Sequence, residues 1–150
     1  MFFGFIFGSS EKIKSSRSGA SAIENRDTIR FRLKPIDLKP EIVDKLALSF
    51  SVNEFKSIIM FCDEYVTFYY VGSDGNHVKK ELTDYGAIEE LQDFLKRIDY
   101  VKFAIICGTD ELNEEVINTT IFYIEKDQVK SIDIFFVLDK NQSINRIIVK

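Results

Sequence analysis

The last third of the chain constrains the fold most, because it is nearly all strand and its connections are short. A parallel pair of strands needs a crossover of a dozen or more residues, whereas an antiparallel pair needs only a tight loop. Loops such as 126–128 and 139–143 are therefore expected to join antiparallel neighbours in a meander. The predicted strands are VKFAIICG (101–108), VINTTIFYIE (116–125), VKSIDIFFVL (129–138) and INRIIVK (144–150).

A second hairpin is indicated by the stretch VGSDGNHVKKEL, residues 71–82. Asp74-Gly75 suits a type I′ turn, which requires positive φ at both central residues. The arms would be EYVTFYYV before the turn and HVKKEL after it. The segment 56–72 leading into this hairpin is expected to be two strands that turn at Asp63-Glu64, or one long strand that bends there.

Two helices are predicted from apolar residues that recur at helical spacing. The segment TDYGAIEELQDFLKRIDY (83–100) begins at Thr83 or Asp84, either of which can cap a helix. A first helix is expected from Pro40, with the stripe Ile42, Val43, Leu46, Ala47 and Phe50. The predicted fold class is α+β, with a twisted, mainly antiparallel sheet of about six strands and two helices packed on one face.

The chain is expected to be a single domain over residues 1–150, since this length can bury a core without disulfides. MFFGFIFG, residues 1–8, is too short to span a membrane and is predicted to be an apolar N-terminal strand or tether. Residues 9–27 are rich in Ser, Gly and Lys, which predicts a flexible loop. TIRFRLK (28–34) alternates as a half-buried strand with a basic outer face.

His77 is the single histidine, and it lies beside the predicted turn at 74–75. A catalytic base needs an orienting partner and a shielded pocket, so His77 is interpreted as a residue that flanks the turn. Cys62 and Cys107 lie in apolar runs and are interpreted as buried thiols in a reducing, cytoplasmic compartment, with a disulfide left open if their strands are neighbours. We expect no catalytic residue, no zinc or other metal site and no cofactor.

Adjacent acidic residues are the only abundant candidates for chemistry. Asp63-Glu64, Asp110-Glu111 and Glu114-Glu115 could meet around Mg²⁺ if neighbouring strands brought them together. Each pair is also placed at a predicted turn, where acidic side chains are common for solubility and turn geometry.

Charge is distributed unevenly along the chain. Residues 1–40 contain eight Lys and Arg against four Asp and Glu, whereas residues 63–115 contain five against thirteen, a net of −8. A surface of this sign repels nucleic acid and attracts a basic protein. Two alternatives stay open: that the charge only keeps the domain soluble, and that the basic residues near Arg30-Phe31-Arg32 hold RNA or DNA.

A small acidic α+β chain without visible catalytic machinery, opening on MFFGFIFG and serines, resembles the immunity proteins of bacterial contact-dependent growth-inhibition toxin systems. The resemblance implies a cytoplasmic protein that is not an enzyme. It also implies that the protein binds one cognate toxin domain, often a basic nuclease, and blocks its active site or substrate channel.

The charge pattern and this resemblance together predict a protein partner, with no nucleic acid and no membrane, and leave homo-oligomerisation open. Exposed tyrosines among Tyr65, Tyr69, Tyr70 and Tyr85 would be anchors. The predicted partner-binding residues are Glu89, Glu90, Asp93, Asp110, Glu111, Glu114, Glu115 and Tyr85.

The alternative is a small-molecule-binding or enzymatic domain with an aromatic-lined pocket between helix and sheet. A third hypothesis is an accessory protein that mimics nucleic-acid charge. The aromatics expected to line the pocket are Phe68, Tyr70, Phe122 and Phe135.

Overall fold

The sheet has eight strands in the residues that the computed structural model describes, which are 5–7, 32–33, 40–72, 74–110 and 112–150. Six of the strands are long, as predicted, and two are short. The strands are β1 (Phe5–Phe7), β2 (Arg32–Leu33), β3 (Cys62–Val71), β4 (His77–Thr83), β5 (Tyr100–Thr109), β6 (Glu115–Glu125), β7 (Gln128–Leu138) and β8 (Ile144–Val149). The helices are α1 (Pro40–Val52), the 3₁₀ helix η1 (Lys56–Phe61) and α2 (Asp84–Lys96).

The strand order is β1-β5-β6-β7-β8-β3-β4, and β2 also pairs with β5. Strands β5 to β8 form the predicted antiparallel meander. The last strand, β8, then lies beside β3 and runs parallel to it, which is the one parallel pairing among the described strands. The predicted α+β class, with a mainly antiparallel sheet, is confirmed.

The β3–β4 hairpin is present, but the prediction of a type I′ turn at Asp74-Gly75 is wrong. Gly75 has a φ of 84°. The loop is longer than two residues: Gly72 N–H donates to Asn76 O at 2.7 Å, and Gly75 N–H donates to Gly72 O at 2.9 Å. The Asp74 carboxylate accepts the Asn76 N–H at 3.0 Å and closes the loop.

The two-residue turn with positive φ at both positions lies instead between β6 and β7. Lys126 has a φ of 52° and Asp127 a φ of 63°. Glu125 and Gln128 pair directly across this turn, so Gln128 belongs to β7 and not to the loop.

The segment before the hairpin differs from both expectations for it. Residues 56–61 form η1, and one strand then runs from Cys62 to Val71 without turning at Asp63-Glu64. Phe55 and Ile58 are fully buried, and the Ile58 N–H donates to Phe55 O at 3.1 Å. A tight helical turn places both apolar side chains inward, which an extended strand could not do because its side chains alternate.

The main core lies between the sheet and the two helices, which contribute to one cluster of buried residues. The Phe50 ring of α1 is central to it, with the Phe55 and Phe103 ring centroids at 4.8 and 5.8 Å. Aromatic packing of this kind is worth more than burial of the same area alone. On the opposite face of the sheet is a smaller cluster of Val116, Phe135, Val137 and Ile148, against which Tyr69 packs.

Several predictions fall at the N-terminus. Phe5–Phe7 is a strand that pairs with β5, which agrees with the expected apolar strand, and Arg32–Leu33 is the described part of the predicted strand 28–34. The predicted loop 9–27 lies outside the described residues. Among the described residues, no helix combines the length and the apolar character needed to cross a bilayer.

Candidate functional site

Helix α2 carries the exposed acidic side chains and is held firmly to the sheet. Thr83 caps its N-terminus, because the Thr83 hydroxyl accepts the Gly86 N–H at 3.1 Å. One face of the helix is fully buried against the core and includes Ile88, Leu91 and Leu95. The helix ends near Lys96, four residues earlier than the segment 83–100 suggested.

The opposite face presents Tyr85, Glu89 and Asp93, which we call the acidic ridge. These residues are four positions apart, so they lie above one another on successive turns. All three are exposed, and Tyr85 has 64% of its surface accessible. Glu89 and Asp93 make no ion pair with any described residue. Within the described residues, the ridge is therefore a pair of carboxylates without a counter-charge, beside an exposed phenol.

Glu90 has a different role from its two neighbours. Its carboxylate is 2.9 Å from Lys80 Nζ on β4, and the pair is partly buried. The hydrogen bond from Lys80 to Glu90 raises the pKa of the Lys80 ammonium. Glu90 thus joins α2 to β4, and less of its charge is available to a partner than that of Glu89.

The predicted acidic loop between β5 and β6 is organised around Asp110. The Asp110 carboxylate is buried and accepts the N–H groups of Leu112 and Glu114, both at 2.9 Å. Arg146 of β8 lies 3.7 Å from Asp110 and forms a close ion pair with Glu114. Two of the predicted partner-binding carboxylates are therefore neutralised within the chain.

Of the other two predicted residues in this loop, only Glu115 lies within the described residues. Glu115 is half-buried in β6, and its carboxylate raises the pKa of the nearby Cys107 thiol, although burial contributes more. Glu111 lies outside the described residues. The loop and the acidic ridge are carried by different elements of the fold.

The acidic pairs do not assemble into a metal site in the part of the chain that the structure describes, which contains no cluster of three or more potential ligands. Asp63 instead hydrogen bonds to Asp139 in the turn between β7 and β8. This bond, with burial and the Asp139 charge, raises the pKa of Asp63 to about 6. The contact joins the start of β3 to that turn.

His77 and Cys107 agree with their interpretation from the sequence, whereas Cys62, which was expected to be buried, is half-buried. His77 is exposed at the start of β4, and its backbone pairs with Val71. Cys62 and Cys107 are both free thiols. Burial raises the pKa of each to about 12, so neither is a ready nucleophile at neutral pH.

The tyrosines predicted as anchors differ in exposure. Tyr65 and Tyr85 are the exposed pair, whereas Tyr69 and Tyr70 are half-buried. The ammonium groups of Lys79 and Lys80 lie 5.9 and 5.7 Å from the ring centroids of Tyr69 and Tyr70. These two rings are engaged by cations of the same chain.

The aromatics predicted to line a pocket are split between the two faces of the sheet. Phe68 and Tyr70 belong to the cluster under the helices, and Phe135 belongs to the cluster on the other face. Phe122 shares the face of Phe135, since side chains alternate along β6 and Asn118 pairs with Phe135. The interior does contain buried polar atoms without a partner among the described residues, namely the hydroxyls of Thr109 and Thr119.

Three residues that organise this region were missed from the sequence. Gln92 bonds α2 to the chain after α1, Arg146 neutralises the β5–β6 loop, and Asp139 accepts the N–H groups of Asn141 and Ser143. Only Asp139 had a local signal, since Asp followed by Asn and Ser is typical of a turn closed by the Asp side chain.

No protein-family model matches the chain, and no curated protein matches it by sequence. Solved structures are similar in fold alone. A protein named Rd1NTF2_04 with long sheet has a TM-score of 0.55 at 12% identity, covering 74% of this chain and 98% of its own. A Bacillus subtilis protein whose name proposes an isomerase has a TM-score of 0.54 at 16% identity, covering 73% and 83%.

A DUF4783 family protein from Bacteroides ovatus has a TM-score of 0.51 at 13% identity, covering 70% of this chain and 90% of its own. The fold is accordingly similar to that of these structures. At these identities the likeness concerns the path of the backbone and does not extend to a shared activity.

Proposed function

We propose that this chain is a non-catalytic binding protein, namely an immunity protein that binds a cognate, basic, nuclease-like toxin domain in the cytoplasm and blocks its active site. The observation that carries the proposal is the acidic ridge of Tyr85, Glu89 and Asp93. It combines two carboxylates that make no ion pair with a described residue and an exposed tyrosine, on a helix that is capped and anchored in the core.

The electrostatics favour a basic partner. The ridge lies within a segment of net charge −8, so its field extends beyond the two carboxylates themselves. Complementary charge accelerates association and excludes partners of the same sign more than it adds affinity. A nuclease domain that binds nucleic acid presents the Lys and Arg groups that such a field attracts.

The contact geometry also favours a protein surface. Tyr85 offers a large amphipathic side chain whose burial is a common source of binding energy at interfaces. Because α2 is fixed to the sheet, the ridge is preorganised, and little side-chain or backbone order would be lost on binding. The two free thiols are compatible with a reducing cytoplasm.

The test begins with the protein encoded next to this chain. We expect its expression alone to be toxic to cells and co-expression of the two proteins to restore growth. The double variant Glu89→Lys/Asp93→Lys is expected to lose this protection and to slow association about tenfold or more at low salt. Tyr85→Ala is expected to raise the dissociation rate instead.

The matched control is Glu41→Lys/Asp44→Lys, which makes the same change in net charge on two exposed positions of α1. Circular dichroism establishes that all variants remain folded. If the control slows association as much as the ridge variant does, the ridge is not the contact surface. If no neighbouring protein is toxic, the immunity function itself is rejected.

A small-molecule-binding or enzymatic domain is the second candidate, favoured by the buried, unpartnered hydroxyls of Thr109 and Thr119. A polar ligand inside the domain would supply the missing hydrogen bonds. Native mass spectrometry of the protein purified from its source cells would detect such a ligand as a retained mass. Loss of that mass in Thr119→Val, with folding intact, would favour this candidate over the first.

A further inference from the structure

The outer edge of β4 presents backbone groups that no strand satisfies in the part of the chain that the structure describes. β4 ends the strand order and pairs there with β3 alone. The bond from Gly72 N–H to Asn76 O shows that even-numbered residues of this strand direct their backbone groups towards β3. The backbone groups of Lys79 and Glu81 therefore point outward, and such a row is a template for another strand.

We infer that β4 pairs antiparallel with β4 of a second copy of this chain, about a two-fold axis through Lys80. This is the two-fold register in which all seven residues His77–Thr83 overlap. It places Lys79 of each copy opposite Glu81 of the other copy, and Val78 of each copy opposite Leu82 of the other copy. A two-fold contact must be self-complementary, and in this register β4 is.

Backbone and side-chain requirements select the same register. Lys79 and Glu81 both point their N–H and C=O groups outward, so they can exchange both hydrogen bonds of a bonded pair. Val78 and Leu82 then form the non-bonded pairs, in which side chains approach more closely. Registers centred on Lys79 or Glu81 shorten the overlap and no longer place Lys79 opposite Glu81.

The pair of Lys80 residues at the axis is already compensated within each copy. Lys80 Nζ is 2.9 Å from the Glu90 carboxylate and 5.7 Å from the centroid of the Tyr70 ring. Each ammonium is thereby held over its own molecule. Lysines on an edge strand usually prevent pairing, but here a glutamate two residues later gives each Lys79 a counter-charge in a second copy.

The experiment is sedimentation equilibrium of the full chain over a range of concentrations. The natural sequence is expected to form a dimer, and Lys79→Glu or Glu81→Lys is expected to raise its Kd about tenfold or more, because each turns two attractive pairs into two repulsive ones. The double variant Lys79→Glu/Glu81→Lys exchanges the charges and is expected to restore the dimer. Lys140→Glu, at an exposed position in the β7–β8 turn, is the matched control.

Zero-length carbodiimide cross-linking of the natural sequence gives a second readout that needs no variant, with a Lys79–Glu81 cross-link between copies expected. A chain that stays monomeric over the whole concentration range would overturn the inference. A dimer that is insensitive to both single charge reversals would overturn it as well, since its interface would lie elsewhere. If the chain stays monomeric and the edge of β4 pairs with a strand of another protein, the inferred second copy is wrong and that protein is the partner.

Discussion

Replacing Gln92 should destabilise the fold more than its half-buried position on α2 suggests. Its side-chain oxygen accepts the Phe55 N–H at 2.8 Å, and its amide nitrogen donates to Asn53 O at 2.8 Å. Asn53 has a φ of 53° where α1 ends, and Phe55 is fully buried. One amide therefore fixes the chain reversal between α1 and η1 against α2.

The size of the effect follows from the two bonds. In Gln92→Ala each lost hydrogen bond removes about 1 kcal/mol, and the buried Phe55 N–H left without a partner costs a further 1–3 kcal/mol or so. We expect the free energy of unfolding to fall by roughly 3–5 kcal/mol. For a chain of this size that lowers the Tm by roughly 6–20 °C.

The variant Gln92→Glu tests the two hydrogen bonds separately. A carboxylate can still accept the Phe55 N–H, but it faces the Asn53 carbonyl with no proton to donate. Near pH 4 a protonated glutamic acid can donate to that carbonyl, so the loss of stability relative to the natural sequence should shrink as pH falls from about 7 to about 4.

The assay is urea unfolding followed by circular dichroism, with Asp93→Ala as the exposed control on the same helix, expected to stay within about 0.5 kcal/mol of the natural sequence. The reasoning is refuted if Gln92→Ala matches that control. It is also refuted if Gln92→Glu and Gln92→Ala are equally unstable at both pH values.

Two further predictions concern the acidic groups. The folded state raises the pKa of Asp63 from 3.8 to about 6, so the stability that Asp63 contributes is complete below pH 3.8 and is lost as pH rises through about 6. The Asp63→Asn variant should lack this pH-dependent change in the urea midpoint between pH 4 and 7. The control Glu64→Gln should keep it. Arg146→Met leaves the Asp110 carboxylate buried without a counter-charge and should lower the free energy of unfolding by roughly 1–3 kcal/mol. Adding Asp110→Asn should recover part of that loss, and a double variant no more stable than the single one would contradict the pairing.

Local sequence patterns predicted the elements whose formation depends only on residues that are close together in the sequence. The helical stripes predicted α1 and α2 because buried residues recur every three or four positions whatever they pack against. The short loops after β5 predicted the meander for the same reason, since a few residues cannot support a crossover. The Thr83 cap was also readable, because capping involves only the next three residues.

Features that depend on residues distant in sequence could not be read in this way. The parallel pairing of β8 with β3 joins strands more than seventy residues apart, and no loop length constrains it. The role of Asp110 could not be predicted for the same reason. Its carboxylate is neutralised by Arg146, which lies on another strand and is distant in sequence. Glu90 likewise differs from Glu89 through Lys80 on β4.

The arrangement of aromatic side chains bears on where function resides. Phe50 packs against Phe55, Phe103 and Phe136, so aromatic rings occupy space between the helices and the sheet. Rings in contact around Phe50 leave little room for a substrate there, and moving rings of this size out of contact is costly. The outer surface has no such constraint, and the acidic ridge of Tyr85, Glu89 and Asp93 lies there on a fixed support. We therefore expect substitutions in the ridge to change recognition while leaving stability nearly unchanged, and substitutions at Phe50 to do the reverse.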